Sequence, residues 1–300
     1  MISVTDPIQW AMDWTKKVLF GPFILEKWLT MGFTAFLASL ASGGGSGFNS
    51  HNPFKPKGDA LVSPMAKVEE ALQWAQAHRP LVIGAIAALL LVIVVLQWLR
   101  ARGIFMFLDN VVNDRGRVAE PWNRYREPAN RLFVAFLLLN AAGLALVAGG
   151  LYAGWRNVAP DLAGMHFGLH TLKGFLAILA VTAPLGFVLL MTGLVLKDFV
   201  VPVMFLRGTT VTEGFGVLWN EVMPGNLGSF ALFYLMKFIL VLAAAVVIFF
   251  GTCITCCIAG LPYVSAVVFL PITVFFRSYS LHFMGQAAEE WRILPMGSQH

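Results

Sequence analysis

Residues 81–99 form an apolar run nineteen residues long in which only Gln97 is strongly polar, and Arg100 and Arg102 close it. A helix of that length and composition matches a bilayer hydrocarbon core roughly 30 Å thick. Apolar runs also occupy residues 132–155, 174–196, 230–252 and 254–276, and residues 25–41 make a marginal first span. The last two runs form a tight hairpin. Pro184, Pro262 and Pro271 fall within expected spans, where neighbouring helices satisfy the carbonyls a proline frees. Ala141, Gly143, Gly149 and Gly150 are small enough to let another helix approach the third span closely.

Composition agrees with a membrane protein. The 300 residues are 58% hydrophobic and 12% charged, with mean hydropathy +0.74, against roughly 25% charged residues in soluble domains. The net charge of +5 does not point to nucleic acid, because the basic residues cluster beside apolar runs and no nucleic-acid-binding module is visible. Cys253, Cys256 and Cys257 are an odd set inside an apolar segment, so no disulfide framework is expected. They read as small buried packing residues, with a redox or metal role as the alternative. The N-terminus lacks the basic region and immediate apolar core of a signal peptide.

The expected fold is all-α: an integral membrane protein of six transmembrane helices in three hairpins, each preceded by an interfacial amphipathic helix. The first such helix covers residues 7–20, where Trp10, Trp14 and Val18 share a face and Asp13, Lys16 and Lys17 point elsewhere. Residues 62–79 also read as amphipathic helix, and residues 42–60 as a flexible Gly/Pro-rich loop. The regions assigned to one side of the membrane hold 15 of the 21 Lys and Arg. By the positive-inside rule that side is cytoplasmic, and both termini lie on it.

The polar stretch 100–131 carries seven arginines, the densest basic segment of the chain. Its order of features returns about 90 residues later. Asp109 in D-N-V-V, Arg115 in R-G, then Trp122-Asn123 correspond to Asp198 in D-F-V-V, Arg207 in R-G, then Trp219-Asn220. With a weaker echo near the N-terminus, this suggests repeat units at residues 1–100, 101–197 and 198–290, which in transporters place a site on the repeat axis.

The segments D-F-V-V-P-V-M-F-L-R-G (198–208), C-I-T-C-C-I-A-G-L-P-Y-V (253–264) and L-P-I-T-V-F-F-R-S-Y-S-L-H-F-M (270–284) resemble a bacterial and archaeal family of multi-pass proteins of unknown function. They are also broadly similar to membrane domains found beside some glycerophosphodiester phosphodiesterases. The likeness covers most of residues 8–290. It implies the multi-pass fold and carries no catalytic residues with it.

Few residues suggest chemistry. His166 and His170, four apart, have the spacing of two metal ligands on one helical face, with Asp161 or His51 as a third. No Glu lies between the histidines, and interfacial polar residues with hydrogen-bonded partners are the favoured reading. Arg115, Arg117, Arg124 and Arg126 are candidates for anionic lipid headgroups, against a solvated loop whose arginines pair with Glu120 and Glu127. Lys173, Lys197, Lys237 and Arg277 sit at or just inside span ends and are expected to snorkel. No cofactor is expected. The leading functional expectation is a non-enzymatic scaffold or accessory component of the bacterial or archaeal cytoplasmic membrane, in contact with lipid and other membrane proteins. A transporter or channel for a small or lipid-like solute comes second. A membrane metalloenzyme built on the histidine pair comes third.

Overall fold

The computed structural model describes residues 2–40, 73–163, 169–254 and 261–295, in which every regular element is helical. In order these are α1 (Asp6–Phe20), α2 (Leu25–Ser39), α3 (Arg79–Val112), α4 (Ala119–Arg124), α5 (Arg126–Ala163) and α6 (Leu169–Val195). A π-helical turn, Leu196–Val200, joins α6 to α7 (Val201–Arg207), and α8 (Val211–Val217) comes next. A second π-helical turn, Leu218–Val222, precedes α9 (Leu227–Ile254), α10 (Pro262–Val268) and α11 (Leu270–Met284).

By length and composition, four helices among the described residues suit a membrane crossing: Arg79–Val112, Arg126–Asn157, Leu172–Arg207 and Leu227–Cys253. They contain the expected spans at 81–99, 132–155, 174–196 and 230–252. The other two expected spans are not in this set. Residues 25–41 give α2, 15 residues long, which lies beside the part of α3 beyond Arg100. Lys27 Nζ reaches Asp114 Oδ1 at 2.6 Å, and the backbone at Leu37 and Ala38 crowds Gly103. The run at 254–276 is divided at Phe269, because Pro262 and Pro271 each stand in the first turn of a new helix. The expected 42–60 loop and most of the 62–79 helix lie outside the described residues.

The reason α3 is long is visible in its sequence. Arg100 and Arg102 end the apolar run, but arginine is a good helix former, and the helix continues to Val112. At 1.5 Å per residue its 34 residues span about 51 Å, well beyond one hydrocarbon core. Residues 81–95 are mostly exposed, whereas Gln97 and residues 101–111 are buried. The span ending at Arg207 shares this division, with residues 198–204 buried, whereas α5 and α9 bury one face at their base ends, through Ala129, Leu132 and Phe136 and through Phe230 and Phe233.

The base is built around α11, whose residues 277–284 are all buried. Phe199, Phe230, Phe233, Tyr279 and Phe283 interlock there, with ring centroids 4.5 Å apart for Phe233–Phe283 and 4.9 Å for Phe233–Tyr279. α1 packs on α11 and against the end of α3. Its Trp14 and Val18 face is buried in protein, and Trp14 Nε1 donates to the Val111 carbonyl at 3.1 Å. The face expected to meet lipid therefore meets helices. The two ends of the chain are tied together, since Ser3 N donates to Gln286 Oε1 and Gln286 Nε2 to the Ser3 carbonyl, both at 2.9 Å. In the α5–α6 pair, Gly150 lies close to Thr182, while Gly143 and Gly149 face open space.

A Cβ at Gly103 would stand 2.5 Å from the Ala38 nitrogen, whereas one at Gly84 would meet nothing within 4 Å. Gly103→Ala is therefore expected to lose about 2 kcal/mol or more of stability through backbone displacement. Gly84→Ala is expected to be neutral or to gain up to about 1 kcal/mol from helix propensity. Thermal unfolding in detergent measures both. His282, 2% exposed and edge-on to Trp10, has no hydrogen-bond partner on either ring nitrogen, and burial pushes its pKa down to about 4. The neutral imidazole is the form the fold accepts. Its contribution is complete above the unfolded pKa of about 6.5 and falls by up to roughly 3 kcal/mol as pH drops towards 4. Melting temperature over that window should fall more steeply for the wild type than for His282→Phe, and parallel slopes would contradict this account.

Candidate functional site

The charged residues of the base gather around two buried carboxylates. Asp109, fully buried near the end of α3, accepts from Arg115 Nη2 at 2.9 Å and Arg115 Nε at 3.2 Å on one oxygen. Its other oxygen accepts from Tyr125 Oη and Asn113 Nδ2, each at 3.0 Å. Arg115 also meets Glu120 at 3.2 Å, and Glu120 meets Arg117 at 2.7 Å. The hydrogen bond from Arg117, with the nearby guanidinium charges, holds Glu120 below the usual carboxylate range. Burial, with the charge of Asp109 second, raises the Tyr125 phenol above its ordinary value. Two acids and two arginines therefore balance, and this centre is closed.

Asp198 sits in the π-helical turn at the end of α6, 4% exposed. Proline at 202 explains the widened turn: its ring would collide with the carbonyl four residues back in a regular helix. Lys237 of α9 pairs with Asp198 at 2.5 Å, so this lysine does not snorkel. Arg277 of α11 is 7% exposed; its Nη1 donates to the Lys197 carbonyl at 2.8 Å, and its Nε and Nη2 have no partner. Lys197 lies within electrostatic reach of Asp198, Lys237, Arg100 and Arg277. This second centre gathers residues from α6, α9 and α11, a convergence that sequence reading misses. The signal is present in the span-end cations and Asp198, but Lys237 stands 39 residues from its partner.

The motif residues of the two segments have partly parallel surroundings. Each buried Asp is followed by an Arg-Gly whose arginine pairs with glutamate, Arg115 with Glu120 and Arg207 with Glu221 at 2.8 Å. Arg207 also meets Glu290 and lies over Trp291. The glycines serve different ends: Gly208 has φ +67° at the end of α7, whereas a Cβ on Gly116 would stand 2.8 Å from Lys27 Cα. Trp122 and Trp98 flank Arg102, its guanidinium 4.7 Å from each ring centre. Trp219 is instead exposed and lines an apolar groove with Phe187, Met191 and Phe215. Asn123 bonds the Ala119 carbonyl, and Asn220 is exposed.

Of the arginines expected at headgroups, Arg115 and Arg117 are held by Asp109 and Glu120, while Arg124 and Arg126 are exposed. His166, Cys256, Cys257 and the side chains of Asp161 and His170 lie outside the described residues. Cys253 is an exposed free thiol. A second apolar groove, about 310 Å³, lies between α1, α9 and α11 and is lined by Met12, Phe20, Leu240 and Phe275. Neither groove is lined by the charges around Asp109 or Asp198.

These features define an all-helical membrane protein whose apolar helices stand on a packed, charged base. Residues 2–266 match the model of a family of unknown function, DUF7544, and the chain belongs to that family. No curated protein and no solved structure matches the chain. Nothing in these comparisons supports a likeness to glycerophosphodiester phosphodiesterase-associated membrane domains.

Arg115→Met leaves Asp109 buried beside only neutral donors. It is expected to cost about 3 kcal/mol, against less than about 1 kcal/mol for Arg117→Met, whose pair with Glu120 is exposed. Equal losses in denaturant or thermal unfolding would show that the Asp109 centre does not hold the base together.

Proposed function

We propose that this chain is a non-enzymatic, multi-pass protein of the bacterial or archaeal cytoplasmic membrane, acting as a scaffold or accessory component. The observation that carries the reading is the closure of the Asp109 centre. Its carboxylate is fully occupied by Arg115, Tyr125 and Asn113, side chains of the same chain. Such a centre ties helix ends together and leaves no group free to react. Above it the spans present apolar flanks to their surroundings, where association rests on helix packing rather than on water exclusion. Both grooves described are apolar, which favours this reading over a solute path lined by polar groups.

The excess of Lys and Arg on the base side supports a cytoplasmic placement of that side. The reciprocal Ser3–Gln286 bonds, and the even number of long apolar helices among the described residues, support placing both termini there. Exposed Arg124 and Arg126 are the contacts for anionic headgroups on that face. The two Asp-to-Arg-Gly segments, each ending in an Arg–Glu pair, are read as copies of one repeated unit.

Extraction from native membranes into lipid nanodiscs without detergent tests the scaffold reading. A particle holding this chain with a second membrane protein in fixed stoichiometry is expected, and a particle holding this chain alone would overturn it. In a cysteine-free background, Glu289→Cys should react with a membrane-impermeant maleimide in inside-out vesicles and Arg156→Cys, just past the apolar run at 132–155, in right-side-out ones. The reverse pattern would invert the assigned orientation.

A further inference from the structure

We propose that Lys197, Arg277 and Tyr234, gathered around the Asp198–Lys237 pair at the base of the spans, form a binding site for a phosphate-bearing anion. Charge is the first argument. Lys197, Lys237 and Arg277 face a single carboxylate, Asp198, with Arg100 of α3 adding its field. The Asp109 centre, by contrast, balances two acids against two arginines. One carboxylate neutralises one cation, and Lys237 takes it.

The second argument is the state of Arg277. A guanidinium that is 7% exposed, with Nε and Nη2 unmatched, is a costly group to keep unless something accepts from it. Its bond through Nη1 to the Lys197 carbonyl fixes its place and offers no negative charge. Tyr234, whose ring lies 6.1 Å from that of Phe199, is within the field of Asp198, and its buried hydroxyl has no partner either. Lys197 is exposed, so the cluster reaches the surface through it. Guanidinium N–H groups, an ammonium and a phenol hydroxyl suit the oxygens of a phosphate. At the base of membrane spans that phosphate belongs either to an anionic phospholipid headgroup or to free inorganic phosphate.

The test uses the full chain purified in uncharged detergent, with melting temperature followed on adding phosphatidylglycerol or, separately, inorganic phosphate. For the wild type a rise of about 4 °C at saturation is expected from one of the two. A rise with phosphatidylglycerol alone identifies a lipid headgroup, and an equal rise with phosphate identifies the free anion. Lys197→Gln, an exposed change that should not disturb folding, is expected to remove at least half of the rise, and Arg277→Met to abolish it. Arg292→Gln, on the same base, should leave it intact. Without ligand, Arg277→Met should melt no lower than wild type, because the cation it removes has no counter-ion. The proposal falls if neither ligand stabilises the wild type. It falls equally if Lys197→Gln responds as fully as wild type, which would mean general attraction to a basic surface. Should Arg277→Met fail to fold, the guanidinium is structural and Lys197→Gln decides alone.

Discussion

A carboxylate withdrawn from water must be met by donors and positive charge, and Asp109 and Asp198 impose that requirement at two points of the base. Much of the architecture can be traced to it. α3 must run on past the membrane edge to carry Asp109 to Arg115 and Tyr125. α6 must widen into a π-helical turn ahead of Pro202, and that turn presents Asp198 to Lys237 on α9. Once these pairs are made, the base ends of α3, α6 and α9 are fixed, and with them the directions of the spans.

The two halves of the molecule obey different physics. In lipid an exposed leucine costs nothing relative to a buried one, so the spans need few contacts with each other, and the outer flanks of α3, α5, α6 and α9 are largely bare. At the base, packing and hydrogen bonds must hold the chain. There α11 is enclosed by α1, α3 and α9, and the Phe199–Phe233–Phe283 cluster fills the space between them. Lys27, held by Asp114 and the Val18 carbonyl, pins α2 to the end of α3.

Hydropathy locates the four long spans because a lipid-facing helix is apolar all round. It misreads α2 for the same reason: Met31, Ala35 and Ala38 look alike to lipid and to a protein core, and they are buried in the latter. Arg100 and Arg102 are legible as a membrane edge but not as the middle of a helix, since the signal that ends a span is charge and the signal that ends a helix is geometry. The break at Phe269 is foreshadowed by Pro262 and Pro271. The pairing of Asp109 with Arg115, six residues apart, is within reach of the D-x-V-V to R-G spacing. The roles of Tyr125 and Lys237 are not, because their contacts exist only once separate helices are packed. The repeat pattern singles out Asp198 as a motif residue without indicating which cation will meet it.

The two centres share a motif and differ in closure, and the difference lies in the path of the chain beyond each aspartate. After Asp109 the chain turns at once, and Arg115 folds back onto that carboxylate while Glu120 caps the excess charge. After Asp198 the helix continues through Pro202 to Gly208, which carries Arg207 away to Glu221, Glu290 and Trp291. Asp198 is therefore left to find a cation elsewhere; α9 supplies Lys237, α11 brings Arg277, and Lys197 is already beside it in the same turn. A longer connection after the same Asp-x-Val-Val thus turns a self-satisfied pair into a centre with more positive charge than its own residues neutralise.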